Sequence, residues 1–183
     1  MTLAREWVQA LRGTANESLP PAVARAAALH FTDALGVGLA ASASRSGAGW
    51  RQAGGTLAQG GNATVLGQKA GASAADAAMV NGGLIHSLEF DDTHTGSIMH
   101  GSAVVAAAAL AKAESVGASG EAMLAAYARG YEALVLLGLA AQGEGGATCG
   151  DTRGHEHSTT THQGNHRARC KGSEVRQYDR VWV

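Results

Sequence analysis

Acidic, imidazole and hydroxyl side chains are concentrated in one short stretch of this sequence. The stretch from Asn81 to Ser102 reads NGGLIHSLEFDDTHTGSIMHGS, and its acids and histidines are Glu89, Asp91, Asp92, His86, His94 and His100. Histidine titrates near neutral pH, so it can accept or donate a proton under working conditions. A neighbouring carboxylate can orient the imidazole or take the proton. These residue types favour general acid–base chemistry.

The reactive stretch lies where one predicted helix ends and another begins. Ser73, with an acid three residues later, is a capping pattern for a helix that runs to about Phe90. The next helix is predicted over residues 103–116, with Ser102 as its N-cap. A helix N-terminus has free N–H groups and a positive dipole end, and it therefore favours a carboxylate. Residues 91–100 are predicted to form a loop between the two helices.

The flanking sequence predicts an all-α, bundle-like domain over residues 1–142. Apolar residues recur at helical spacing in several segments, and glycine-rich turns separate them. Residues 42–62 are rich in Gly, Ser and Ala and are predicted to be a loop with at most a short helix. Residues 64–67 are predicted to be briefly extended. Three more helices are predicted: one spans Thr2–Leu11, one begins at Pro20 and Pro21, and one begins at Ser119. Gly117 is predicted to end the helix over residues 103–116.

Composition and charge exclude several classes of protein. The formal net charge is -1 and the pI is about 6.7, so the chain has no long-range field to attract nucleic acid or an anionic membrane. Two cysteines suggest no disulfide framework and fit a reducing compartment. No uninterrupted apolar run reaches the roughly 18 residues of a membrane span, and the first residues do not resemble a signal peptide. We therefore expect a cytoplasmic protein that binds neither nucleic acid nor membrane.

Residues 143–183 differ in composition from the rest of the chain. They hold four of the eight histidines and both cysteines, and apolar periodicity disappears. This segment is predicted to be a disordered or frame-shifted tail. Its histidines and cysteines lack the spacing of a structural zinc site, so an accidental polar segment is preferred to a metal site.

Three separated motifs resemble the hallmark pattern of the MmgE/PrpD family, which includes 2-methylcitrate dehydratase and cis-aconitate decarboxylase. They are the run NGGLIHSLEFDDTH, its spacing to HGSA, and the later ALAKAESVGASGEAMLAAYARGYEA. The likeness covers roughly residues 5–141. It implies an all-helical main domain joined to a smaller α+β lid domain, a homodimer, and an active site between the two domains. It also implies a lyase that acts on small polycarboxylates without an iron–sulfur cluster, so no cofactor is expected.

The resemblance also implies roles for particular residues. The family's catalytic acid, threonine and histidine fall on Glu89, Thr93 and His100. Substrate-binding roles are expected for the neighbouring side chains Asp92, His94 and Ser102. Glu89 replaces the usual aspartate, and Gly101 replaces the usual proline, which should loosen the turn.

Two functional hypotheses remain open. The first is a truncated hydro-lyase similar to 2-methylcitrate dehydratase, inactive alone because the family's later lysines and tyrosine have no counterpart here. The second is a non-catalytic helical module that pairs with itself or with a full-length homologue.

Blander interpretations of the same residues also stay open. Asp91 and Asp92 terminate a helix and face water, His86 packs against Glu89, and Tyr131 is a helix-packing residue. The acidic loop with His100 is also an alternative, less favoured site for a divalent metal.

Overall fold

The computed structural model describes residues 2–13 and 18–142. This part of the chain contains six helices, and its only β pairing consists of two isolated bridges, Ala63–Ala72 and His94–Met99. The predicted all-α class is confirmed. The helices are α1 (Leu3–Gly13), α2 (Pro21–Ala43), α3 (Ala48–Leu57), α4 (Ala74–His86), α5 (Gly101–Val116) and α6 (Gly120–Ala141).

Helix α4 lies at the centre of the packing. It contacts α2, α3 and α5, and α6 packs against α2 and α5. The core between these helices is built from the buried residues Ala27, Phe31, Val80, Leu84, Ile85, Tyr127 and Val135. At Gly82, helices α4 and α5 approach each other so closely that a Cβ would lie 2.9 Å from the carbonyl oxygen of Ala103. Small residues thus let α4 and α5 pack tightly where they flank the reactive loop.

The helix boundaries around the reactive loop differ from those predicted. The Ser73 hydroxyl does accept from the Asp76 backbone N–H, as the capping pattern predicted, but α4 ends at His86 rather than near Phe90. Helix α5 begins at Gly101, and Ser102 lies within its first turn, so the prediction that Ser102 is the N-cap is wrong. The reason is that the Asp92 carboxylate accepts the Ser102 backbone N–H at 3.1 Å and thus caps the helix from the loop.

Helix α3 occupies about half of residues 42–62, the segment that was predicted to be a loop with at most a short helix. Trp50 of α3 lies against Gly83 of α4 so closely that any Cβ at position 83 would overlap the indole ring. Gly54 is buried in the same helix. Tertiary packing therefore stabilises a helix whose glycine content disfavours it locally.

A buried amide fixes the segment that precedes α4. Asn81 is completely buried, and its Oδ1 accepts from the Leu66 backbone N–H at 2.9 Å. Its Nδ2 donates to the Thr64 carbonyl oxygen at 2.8 Å. These two bonds hold residues 64–66 against α4 in place of a strand partner.

Helices α2 and α6 are long and apolar enough to span a membrane, by length and composition alone. Polar residues interrupt both helices, so neither holds an unbroken apolar run, yet each reaches the threshold as an average over 18 residues. Both contribute buried residues to the core, and core helices of soluble proteins meet the same criterion. The finding is weak evidence for a membrane span, and the expected location stays a prediction.

The predicted boundary at residue 142 and the predicted disordered tail at 143–183 lie at the edge of, or outside, the described residues. The tail histidines and cysteines that were weighed as a metal site lie there too.

Candidate active site

Asp91 lies beneath two histidines in the loop that follows α4. Its side chain is 0% exposed, and its Oδ2 lies 3.0 Å from His86 Nδ1 and 3.3 Å from His100 Nδ1. The two imidazole rings have their centroids 5.0 Å apart and meet at 72°. One buried carboxylate oxygen therefore contacts both rings. The interpretation in which Asp91 faces water is wrong, because the loop turns its side chain inward.

A tight turn places Asp91 in this position. Glu89 has a φ of 54°, in the left-handed region that side chains other than glycine seldom adopt. Such a conformation costs roughly 1–2 kcal/mol in a non-glycine residue. After it, Phe90 is exposed while Asp91 is buried. The turn thus ends α4 early and directs the second acid of the loop into the protein.

His100 stands at the N-cap position of α5 and presents one edge of its ring to the loop. Its Nδ1 lies 3.3 Å from Asp91 Oδ2 and 3.3 Å from Thr93 Oγ1. Within the described residues, no partner is recorded for Nε2. The structure thus brings two residues of the predicted catalytic set, Thr93 and His100, together.

Glu89, the third residue of that set, lies on the far side of His86. Its carboxylate is 75% exposed, and Oε1 is 3.8 Å from His86 Nε2. The expected contact between Glu89 and His86 is present, but His86 also bonds to Asp91, which that interpretation did not include. The catalytic role of Glu89 stays a prediction.

Asp92 and Ser102 belong to a network beneath the loop. Ser102 is buried, and its hydroxyl is 2.6 Å from the Tyr127 hydroxyl. Asp92 Oδ2 is 3.8 Å from His30 Nδ1. Burial raises the pKa of Tyr131, and the neighbouring Asp92 carboxylate raises it further. The Asp92 carboxylate and the Ser102 hydroxyl are largely enclosed by protein, and their expected roles in substrate binding stay predictions.

Tyr131 packs in the core, as its helix-packing interpretation predicted. Its ring lies against Gly101 so closely that a Cβ at position 101 would overlap it. Gly101 therefore does not simply loosen the turn. It allows the first turn of α5 to seat directly on an aromatic ring.

His94 stabilises its own turn. Its Nδ1 lies 3.1 Å from the Ser97 backbone nitrogen, which donates to it, and 2.9 Å from the Ser97 hydroxyl. The bridge between His94 and Met99 closes this turn. Its predicted contact with substrate is untested.

The pKa of His86 is raised above 6.5. The hydrogen bond to Asp91 is the largest cause, partial burial opposes it, and the charges of Asp91 and Glu89 add to it. Opposite charges stabilise the protonated imidazole. His86 therefore stays protonated to higher pH than an ordinary histidine.

The two imidazoles border an open groove of about 580 Å³ between α4 and the start of α5. The walls are largely apolar and include Met79, Ile98, Met99, Val104 and Leu134. Among the residues that the structure describes, no lysine or arginine lines this groove. It can admit a small molecule to the histidines, and it supplies no full positive charge apart from a protonated imidazole.

His86, Asp91 and His100 are also of the residue types that bind divalent metals. Their candidate ligand atoms lie within 4.8 Å of one another. Ligands of a tetrahedral zinc ion lie roughly 3.3–3.5 Å apart, given metal–ligand distances near 2.1 Å. The 3.0 Å distance from His86 to Asp91 suits a hydrogen bond, which needs no ion. The geometry thus fits a His86–Asp91 hydrogen bond with His100 in close contact with the same carboxylate.

The sequence did not predict the central position of Asp91 or its hydrogen bond with His86. These residues are five positions apart, which is not a helical contact spacing, and only the left-handed turn at Glu89 brings them together. A histidine in the last helical turn followed by two adjacent acids was the available signal.

Comparison with known proteins supports the resemblance drawn from the motifs. A search of curated proteins and a search of solved structures each gave no significant match. The sequence model of the MmgE/PrpD N-terminal domain matches residues 5–171. The matched range passes residue 142 into the polar segment, for which the motifs showed no likeness. Because the match covers most of the chain and includes the histidine–aspartate loop, the chain belongs to the MmgE/PrpD family.

Proposed function

We propose that this site acts in a hydro-lyase reaction on a small hydroxy polycarboxylate, such as 2-methylcitrate. The reaction removes a proton from the carbon beside a carboxylate and a hydroxide from the neighbouring carbon. The observation that supports it is the buried Asp91 carboxylate behind His100, at the edge of an open groove.

His100 is the proposed base. Asp91 Oδ2 lies 3.3 Å from Nδ1 and favours a proton on that nitrogen, which would leave the lone pair on Nε2 for a substrate proton. A buried carboxylate in this position fixes the tautomer and stabilises the imidazolium that forms. Thr93, beside the same ring, is placed to donate its hydroxyl to a substrate carboxylate.

Charge limits the proposed reaction in this chain. A polycarboxylate and its enolate-like intermediate need cationic donors. The described part of the groove has no lysine or arginine, and Glu89, Asp91 and Asp92 add negative charge nearby. We therefore propose that the chain alone turns over slowly.

A two-part assay tests the proposal. Dehydration of 2-methylcitrate and of citrate is followed by NMR in D₂O, which also reports exchange of the carbon-bound hydrogen for deuterium. We expect slow reaction with the wild-type chain and loss of both signals with H100N. The matched control, H162N, removes a histidine of the polar segment and should keep both. Rates equal to those of an active enzyme of the family would contradict slow turnover, and rates unchanged by H100N would contradict the role of His100 as the base.

A second candidate function is a non-catalytic helical module that forms a homodimer or pairs with a longer homologue. Exposed apolar side chains favour it: Leu29, Met79, Phe90, Ile98, Val104 and Leu137 are each more than half exposed. Contiguous exposed apolar surface is typical of association sites. Size-exclusion chromatography with light scattering, together with absence of turnover, would support this candidate over the enzyme.

The proposal extends to the location of the protein and to its binding of nucleic acid and membranes. A formal net charge of -1 gives no reason for binding to nucleic acid or to an anionic membrane. We propose a cytoplasmic protein, which fractionation of cells that express a tagged chain would test.

A further inference from the structure

We propose that His86 and His100 form an acid–base pair joined by Asp91, in which His100 takes the carbon-bound proton and His86 protonates the departing hydroxide. This inference rests on the proposed hydro-lyase function. It adds His86 as a catalytic residue and Asp91 as a positioning residue.

The geometry suits two proton transfers on one small substrate. Asp91 Oδ2 contacts Nδ1 of both rings, so each ring keeps Nε2 for other contacts. The ring centroids are 5.0 Å apart, and both rings border the same groove. In an elimination the proton and the hydroxyl leave adjacent carbons. Two imidazoles at this separation can each come within hydrogen-bond reach of one of the leaving groups.

The two rings differ in the carboxylates around them, and this difference indicates which ring acts as the acid and which as the base. His86 Nδ1 lies 3.0 and 3.3 Å from the two oxygens of Asp91, and its Nε2 faces Glu89 at 3.8 Å. His100 meets Asp91 through one oxygen only and shares that nitrogen with the neutral hydroxyl of Thr93.

Two carboxylates thus face His86 and one faces His100. Among the residues that the structure describes, the other titratable group in contact with His86 is the His100 ring. Carboxylates stabilise the imidazolium form, and the raised pKa of His86 agrees with this. His86 is therefore assigned as the ring that donates a proton, and His100, which has one neighbouring carboxylate, as the ring that accepts one.

The proposed step balances. His100 Nε2 takes the proton, and the C–H electron pair forms the carbon–carbon double bond. The C–O bond breaks with its electrons on oxygen, which takes a proton from His86 Nε2 and leaves as water. The products are an unsaturated acid, a protonated His100 and a neutral His86, and proton exchange with solvent restores the pair.

The two halves of the reaction separate under mutation. We expect H86N to lower dehydration by roughly 100-fold or more while deuterium exchange persists, because proton removal does not need the acid. H100N should abolish both, and H162N should alter neither. Each rate is measured by NMR in D₂O on the full chain, both without and with a chelator that removes divalent metals, and circular dichroism verifies folding.

The outcomes distinguish the two proposals. If the wild-type chain catalyses neither reaction, the hydro-lyase function fails and the pair fails with it. If the wild-type chain is active and H86N behaves like H162N, or loses exchange as fully as dehydration, the pair alone is overturned. Loss of both activities in the chelator would also overturn it, in favour of metal-assisted chemistry.

A second measurement does not depend on turnover. We expect an NMR titration to give His86 a pKa above 6.5 in the wild type, and a lower one in D91N than in the wild type. A His86 that titrates at or below 6.5, or identically in folded D91N, would overturn the role assigned to Asp91.

Discussion

At the scale of single residues, the site depends on an acid that bonds one ring, contacts a second and is closed to water. A carboxylate buried at 0% exposure is costly unless its oxygens are bonded, and Asp91 meets this requirement through the hydrogen bond with His86 and the close contact with His100. Removing one ring leaves the other as its partner. Replacing the acid leaves two imidazoles without a shared acceptor.

The raised pKa of His86 predicts a pH dependence of stability. A histidine whose pKa is higher in the folded state stabilises the fold fully below its unfolded pKa, and the contribution is lost as pH rises through the folded value. We expect the difference in free energy of unfolding between wild type and H86Q to shrink as pH rises above 6.5. Urea denaturation at a series of pH values measures it. H162Q provides the control, and a difference that grows with pH would contradict the assignment.

At the scale of elements, the helices were largely predictable and their junctions were not. Helical spacing identified α2, α4, α5 and α6, since each presents an apolar face to the core. The predicted N-cap of α5 was wrong. Asp92 in the loop accepts the Ser102 backbone N–H, while the Ser102 hydroxyl bonds to Tyr127. Local sequence does not encode that choice, which depends on a tyrosine 25 residues further along, in the next helix.

The motif Asn81-Gly82-Gly83 has a structural explanation that its resemblance did not supply. The Asn81 side chain bonds to the backbone of residues 64 and 66. The absence of a side chain at Gly82 lets α5 pack closely, and at Gly83 it leaves space for the Trp50 ring. All three positions thus serve the packing of α4.

Removing the Asn81 amide should destabilise the protein markedly. N81A leaves the Leu66 N–H and the Thr64 carbonyl without their partner, and we expect a loss of about 2–4 kcal/mol in the free energy of unfolding. Chemical denaturation measures this loss. Q59A is the matched control, since Gln59 also bonds a backbone carbonyl but from an exposed position. A loss below that of Q59A would refute the role of Asn81.

Glycine replacements in two helices should have opposite effects. G83A introduces a Cβ that overlaps Trp50, and we expect destabilisation by about 1–3 kcal/mol with a change in tryptophan fluorescence. G36A in α2 meets nothing within 4 Å and should stabilise by about 0.4–1 kcal/mol. Thermal denaturation compares the two variants. Equal effects would show that helix propensity, rather than packing against α3, governs position 83.

At the scale of the whole molecule, exposed apolar side chains predict self-association. Val104 and Met79 are 62% and 52% exposed and border the groove. We expect the apparent mass in light scattering to rise with protein concentration, with little dependence on salt, because apolar contacts are not screened. A chain that stays monomeric throughout, or one that dissociates in salt, would contradict an apolar association surface.

The contact between Gly101 and Tyr131 constrains how this molecule can change over generations. In this structure a Cβ at position 101 would overlap the Tyr131 ring, so any side chain there requires the ring to move. A smaller residue at position 131 would instead open a void and cause no collision. The two positions are therefore energetically coupled, and the effects on stability of changing each should not add.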